Sequence, residues 1–212
     1  MNWLGLILHK VSLALRYSTP TARFEQFFPN FQIAMAATTT LSKPFSSSSS
    51  SSSYQPPGDN EYDVFLSFRG EDTRKNFTDH LYHALTKAGF RTFRYDKEML
   101  SGDYISSENL QAIQGSRILL IVLSKNYASS VWCLEELVRI LGSRRWLNQM
   151  VVPVFYDVSP SDVRNQSGTF EQAFVEHGKR SFVNGDKLSI WRRALTEIAN
   201  IPGLNLESTA DG

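Results

Sequence analysis

Tyr62-Asp63-Val64-Phe65-Leu66-Ser67-Phe68, closed by Arg69-Gly70, decides how this chain folds. A short apolar run ended by a charged residue and a glycine is the pattern of a strand buried on both faces. From Thr73 the spacing changes: Phe77, Leu81, Ala84, Leu85 and Ala88 recur every three or four residues, and Gly89 stands where a helix C-cap belongs. Strand thus leads to helix, and the alternation continues. Arg91 to Tyr95 reads as a second, weaker strand, followed by a polar loop from Asp96 to Asp103 and a short helix over Ile105 to Ile113. Ser116 to Ser124 is the strongest strand, a helix runs from about Ser130 to Leu141 behind it, and Val151 to Tyr156 is a fourth strand. Ser167 to Arg180 and Asp186 to Ala199 have helical spacing. Parallel strands need crossover helices, so this order predicts an α/β fold, a parallel sheet covered by helices on both faces. Ligands of such sheets sit beyond the carboxyl ends of the strands, which points to Arg69–Asp72, Asp96–Asp103 and Lys125–Trp132.

The 212 residues suffice for one domain and a remainder, and 42% hydrophobic with 20% charged residues is enough to build a core. A net charge of +1 is far from the basic balance that a phosphate backbone requires, so nucleic acid is not the expected partner. The single cysteine, Cys133, excludes an internal disulfide framework and a cysteine-built zinc site, and suits a reducing, cytoplasmic setting.

Residues 1–58 stand apart: Lys10, Arg16, Arg23 and Lys43 face a single acid, Glu25, and Ser46 to Ser53 is an unbroken serine run. Such a composition does not offset its own ordering entropy, so disorder is expected across residues 1–58, with a domain over 59–203 and a short tail over 204–212. The apolar stretch Trp3 to Leu15 is interrupted by His9-Lys10 and is too short to span a membrane. Two readings of the extension stay open: an organelle transit segment, or a start at Met35 that opens a short disordered leader and makes residues 1–34 an upstream artefact.

On the helix from Trp132 to Leu141, Leu134, Leu137, Val138 and Leu141 form the stripe that faces the core. Glu135 has Arg139 at i+4, the favourable order for a solvated salt bridge. Glu136 falls beside Ile140, Cys133 and Trp132 at the flank of the stripe, with no basic residue at i±4. It either solvates the helix edge or is a partly desolvated functional acid. His9, His80, His83 and His177 have no metal-ligand spacing and read as surface or packing residues. Cys133 lies near a helix N-terminus without a histidine close in sequence, which favours packing over a reactive thiol. Neither a Walker loop nor Gly-x-Gly-x-x-Gly is present, and Asp63 begins its strand, unlike a phospho-acceptor.

Three stretches, YDVFLSFRGED (Tyr62–Asp72), SKNYASSVWCLEEL (Ser124–Leu137) and VPVFYDVSPSDVR (Val152–Arg164), closely resemble the plant Toll/interleukin-1 receptor (TIR) domain of intracellular immune receptors. The resemblance covers about residues 60–203 and implies a flavodoxin-like sheet of strand order 2-1-3-4-5, its fifth strand short. It also implies NAD+ cleavage, as substrate and not as cofactor, with Glu136 the catalytic glutamate. Arg69, Gly70, Ser130 and Trp132 would border the nucleotide, and the loop holding Asp96, Ser101, Gly102 and Ile105 would gate it. Self-association is implied through Asp79 and His80 on the first helix and through Trp191 and Arg192 on the last helices, with other TIR receptors as partners; core packing is the other reading of Trp191. This chain departs from the family pattern at Ser101, where a basic residue usually precedes the glycine, at Tyr95, where an acid is common, and at Asp79-His80, where Ser-His is usual. Nine residues follow Gly203, which suggests a TIR-only protein or a truncated receptor. Two functions follow: an NAD+ nucleosidase activated by assembly in plant immune signalling, or a non-catalytic adaptor or decoy.

Overall fold

The computed structural model describes residues 3–16, 61–95 and 106–206. Five parallel strands, β1 (Tyr62–Phe68), β2 (Thr92–Arg94), β3 (Ser116–Leu123), β4 (Met150–Tyr156) and β5 (Leu204–Leu206), form one sheet in the order β2-β1-β3-β4-β5. The flavodoxin-like expectation holds, including the short fifth strand. β5 pairs Leu204 with Val154, so the last strand lies just past residue 203, inside the stretch read from sequence as tail.

The period-two alternation of the strands divides the core. Phe65, Leu119, Ile121, Leu123, Val151 and Phe155 point to one face, under α4 (Ser107–Gln114), α5 (Val131–Leu147), α6 (Pro160–Asn165), α7 (Thr169–Gly178) and α8 (Gly185–Ala199). Val64, Leu66, Ile118, Leu120, Val122, Val152 and Val154 point to the other, shared with α3 (Phe77–Lys87). The helix read from Thr73 onward starts only at Phe77: Thr73 ends a separate short helix, α2 (Gly70–Thr73), and after the intervening turn Asn76 caps α3 by accepting from the Phe77 N–H. Gly89, at φ +88°, ends α3 as expected. Helix α5 continues past Leu141 to Leu147 and stops at Asn148 in the left-handed region, φ 51°. A glycine at 142 costs a helix only about 1 kcal/mol, too little to end one held along its length by tertiary contacts.

The second face is completed by α1, Trp3–Arg16. Ile7, Val11 and Ala14 are buried in the same cluster as Leu120 and Val122, the Trp3 and Phe77 rings lie 4.6 Å apart, and Arg117 Nη2 donates to the Leu15 carbonyl at 2.9 Å. This corrects the expectation of disorder for that part of the extension. Ile7, Val11 and Ala14 recur at four and three residues, a buried stripe that composition averaged over 58 residues conceals. The serine run and Met35 lie outside the described residues. Among the described residues no helix is long and apolar enough to cross a membrane.

Gly203 precedes β5 in close contact with β4: a Cβ there would clash with the Pro153 carbonyl oxygen. Backbone on a paired strand cannot retreat, so Gly203→Ala is expected to destabilise by roughly 2 kcal/mol or more. A Cβ at Gly142 meets nothing within 4 Å, and Gly142→Ala is expected to stabilise by about 0.5–1 kcal/mol. Urea midpoints of the two variants, moving in opposite directions from the parent, check both.

Candidate active site

The loops that follow β1 and β3 are tied together by Asp72. Its carboxylate accepts from Ser124 Oγ at 2.6 Å and from the Asn126 N–H at 3.0 Å, and lies 3.2 Å from Arg69 Nε. The chain then makes a 3-10 turn over Tyr127–Ser129, anchored from α7 by His177, whose Nε2–H donates to the Ala128 carbonyl at 2.7 Å. Burial lowers the His177 pKa, so the ring works as a neutral donor. Ser130 caps α5, its Oγ accepting from the Cys133 N–H at 3.2 Å.

One turn later α5 turns Glu136 inward, and only 4% of it is exposed. Its Oε1 accepts from Asn109 Nδ2 at 3.0 Å, and Ser67 and the Trp132 indole also donate to it. Ser67 comes from β1 on the same face as Phe65, and its hydroxyl lies 3.1 Å from the Tyr127 phenol oxygen. Tyr127 in turn donates to the Cys133 carbonyl at 3.1 Å. Burial pushes the Glu136 carboxyl up to about 7, against the hydrogen bonds that favour its ionised form. Burial likewise raises the Cys133 thiol to about 12 and the Tyr127 phenol well above its usual range. Cys133 is therefore an inert packing residue whose thiol donates to the Phe68 carbonyl at 3.7 Å.

Of the two acids on α5, the wheel places Glu136 well and Glu135 poorly. The expected Glu135–Arg139 pair gives way to tertiary partners on α8, Lys187 Nζ at 2.9 Å and Trp191 Nε1 at 3.2 Å. A buried indole N–H needs an acceptor, and the nearby carboxylate supplies it.

The residues expected to border the nucleotide gather at this end of the sheet. Trp132 stacks on Tyr95, which follows β2, with ring centroids 6.0 Å apart. Arg69 is held by Glu71 and Asp72, and a Cβ at Gly70 would meet the Arg74 guanidinium at 2.8 Å. Asp96, Ser101, Gly102 and Ile105 lie outside the described residues.

The two expected association faces fare differently. Asp79 pairs with Arg94 Nη1 at 2.9 Å and with His83, which lowers its pKa, while His80 is exposed. Compensation for the carboxylate therefore comes first from Arg94 of β2, with His83 and His80 adding to it. Trp191 is only 1% exposed and belongs to the core, which decides for the packing reading and corrects its place on an association face. Arg192 is exposed, with its guanidinium 4.1 Å over the Phe174 ring.

Sequence reasoning missed Ser67, Asn109 and Tyr127. The signals were present: a hydroxyl within an apolar strand, and an asparagine at i−3 and i−4 from Ala112 and Ile113, on the inward face of α4. Among the described residues no group of three or more His, Cys, Asp or Glu side chains is placed to hold a metal ion.

The family model described as TIR domain matches residues 61–211. Disease resistance protein RPV1 of Vitis rotundifolia is 52% identical over 150 residues, covering 71% of this chain and 10% of the relative. TMV resistance protein N of Nicotiana glutinosa is 49% identical over 142 residues, covering 67% of this chain and 12% of the relative. The chain thus spans about a tenth of the length of these relatives. Among solved structures, the TIR domains of the activated Roq1 resistosome, which directly recognizes the pathogen effector XopQ, superimpose with a TM-score of 0.63 at 53% identity. That match covers 72% of this chain and 92% of the other.

Proposed function

This chain belongs to the TIR domain family, and from that premise we propose that it is an NAD+ nucleosidase of plant immune signalling, with Glu136 as its catalytic carboxylate. The observation that supports this most directly is a glutamate 4% exposed at the carboxyl ends of the strands, hydrogen-bonded on several sides and poised near neutrality. Structural acids are seldom buried without a cation, and no Lys or Arg is among the groups that shift its pKa.

The chemistry suits a lone carboxylate. Nicotinamide in NAD+ is cationic, so when the bond from ribose C1′ to the ring nitrogen breaks, the electron pair neutralises the leaving group and no general acid is needed. The sugar left behind is oxocarbenium-like. Glu136, ionised, supplies negative charge beside it and accepts hydrogen bonds from its hydroxyls. Water then adds to C1′ and releases a proton, giving ADP-ribose or a product derived from it. Trp132 and Tyr95 offer an aromatic wall to the nucleotide, and Arg69 and Gly70 its phosphate-side border. The loop from Asp96 to Ile105 gates entry.

Association of TIR faces, with copies of this chain or with other TIR receptors, activates the site, and Asp79–Arg94 marks the α3 face. The setting is cytoplasmic. A second reading, a non-catalytic adaptor or decoy, is favoured by the contacts that close the rim: Arg69 is engaged by two carboxylates and Trp132 by Tyr95.

NAD+ loss followed by chromatography, with the full chain at high concentration, tests the assignment. Glu136→Ala is expected to lower turnover by roughly 100-fold or more. Glu135→Ala, which loses the α8 contact and keeps the buried carboxyl, is expected to stay active. A folded, self-associating parent that leaves NAD+ intact moves the adaptor reading to first place.

A further inference from the structure

Ser106 caps α4 by accepting from the Asn109 N–H at 3.1 Å, which sets Asn109 as the third residue of that helix. A side chain there ordinarily reaches back toward the cap. Asn109 instead points inward, is 0% exposed, and donates Nδ2–H to Glu136 Oε1 at 3.0 Å. Its other end, Oδ1, is buried without a hydrogen-bond partner. An unsatisfied buried acceptor is costly, and a site that keeps one calls for a reason.

We propose that Asn109 is the positioning residue of Glu136: its amide donates Nδ2–H to the carboxylate, turns over when the carboxyl is protonated, and then accepts the carboxyl O–H through Oδ1. The orphaned oxygen is the half of the amide used in the other protonation state. No atom is transferred between the residues, and the only proton taken up is that of Glu136. In this way Asn109 holds the carboxyl in one orientation in both forms and biases the pH at which it ionises.

The surroundings allow the pair to act alone. Around Glu136 lie Ser67 of β1, Asn109 of α4, Tyr127 of the 3-10 turn, and Trp132 and Cys133 of α5. Of these, Tyr127 and Cys133 titrate, and burial keeps both neutral through the range in which Glu136 changes charge. Arg69 and Asp72 act on the Cys133 thiol from the end of β1.

The inference rests on Glu136 being the working carboxylate, but its test does not need turnover. The full chain with 13C-labelled glutamate is titrated by NMR from pH 5 to 9, following the carboxyl carbon whose signal disappears in Glu136→Gln. Asn109→Leu removes both bonds, and because the charge-assisted bond to the carboxylate is the stronger of the two, it is expected to raise the Glu136 midpoint by about one pH unit. Asn109→Asp keeps the shape, exchanges the donor for a like charge, and is expected to raise it further, so the test survives if the leucine variant does not fold. Where NAD+ is consumed, the acid limb of the pH–rate profile moves by the same amount and KM stays constant. A midpoint unchanged in a folded Asn109 variant overturns the inference even if the parent is active. A shifted midpoint in a parent that leaves NAD+ intact supports it and sinks the nucleosidase reading instead.

Discussion

Glu136→Gln is expected to extinguish NAD+ loss and, above pH 7, to make the protein more stable than the parent by about 3 kcal/mol. The cause is the burial that raises its carboxyl from 4.5 to about 7. Below pH 4.5 the group is protonated in both folded and unfolded chains, and burial costs little. As pH rises through the interval, the unfolded chain releases a proton that the folded one retains, so stability falls. Beyond about 7 the folded protein holds a buried anion, and the full cost is present. A glutamine is neutral throughout and still hydrogen-bonds Ser67 and Asn109. Urea denaturation at pH 5 and pH 8 gives the check: the gap between parent and variant should be small at the first and near its maximum at the second. An equal gap at both would show that Glu136 carries no ionisation cost. Loss of activity with a gain in stability is the signature of a residue kept for chemistry at the expense of the fold.

A chain begun at Met35 is expected to lose roughly 3–5 kcal/mol of stability and to self-associate. It would lack α1, whose Ile7 and Val11 are fully buried against the second face of the sheet. Each such side chain contributes about 1.5–3 kcal/mol, and stripping the cover exposes strand residues of comparable area; the freed backbone entropy of α1 offsets part of the loss. Val122 and Val154 would then face water beside α3, an apolar patch of the kind that drives association. Residues 35–212 compared with 1–212 by urea denaturation and light scattering decide it. Equal stability and the same oligomeric state for the two would show that α1 does not hold the sheet.

Much of the architecture is written in local pattern. Apolar runs at β1, β3 and β4 and the three- and four-residue spacing of α3 and α5 follow from side-chain geometry, which repeats along the chain and needs no knowledge of what lies opposite. Strand order and the short β5 were accessible only through the resemblance. Three residues carry too little periodicity to announce a strand, and β5 exists because β4 offers it a paired edge.

At the site the division is sharper. The helical wheel singled out Glu136 over Glu135, and motif words named Arg69, Ser130 and Trp132, because those signals lie within a few residues of one another. Partners joined across long stretches of chain were not legible. Asn109 reaches Glu136 across 27 positions, Ser67 meets Tyr127 across 60, and Asp72 binds Ser124 across 52. By itself the sequence determined which segments are strand or helix, which acid sits at the core's edge, and which family the words belong to. Only the tertiary structure decided that Glu135 belongs to α8, that Trp191 is core, that α1 roofs the second face, and that Asn109 grips the buried carboxyl. Periodicity is a property of neighbours along the chain, whereas desolvation and hydrogen-bond satisfaction depend on what the fold brings together from far apart.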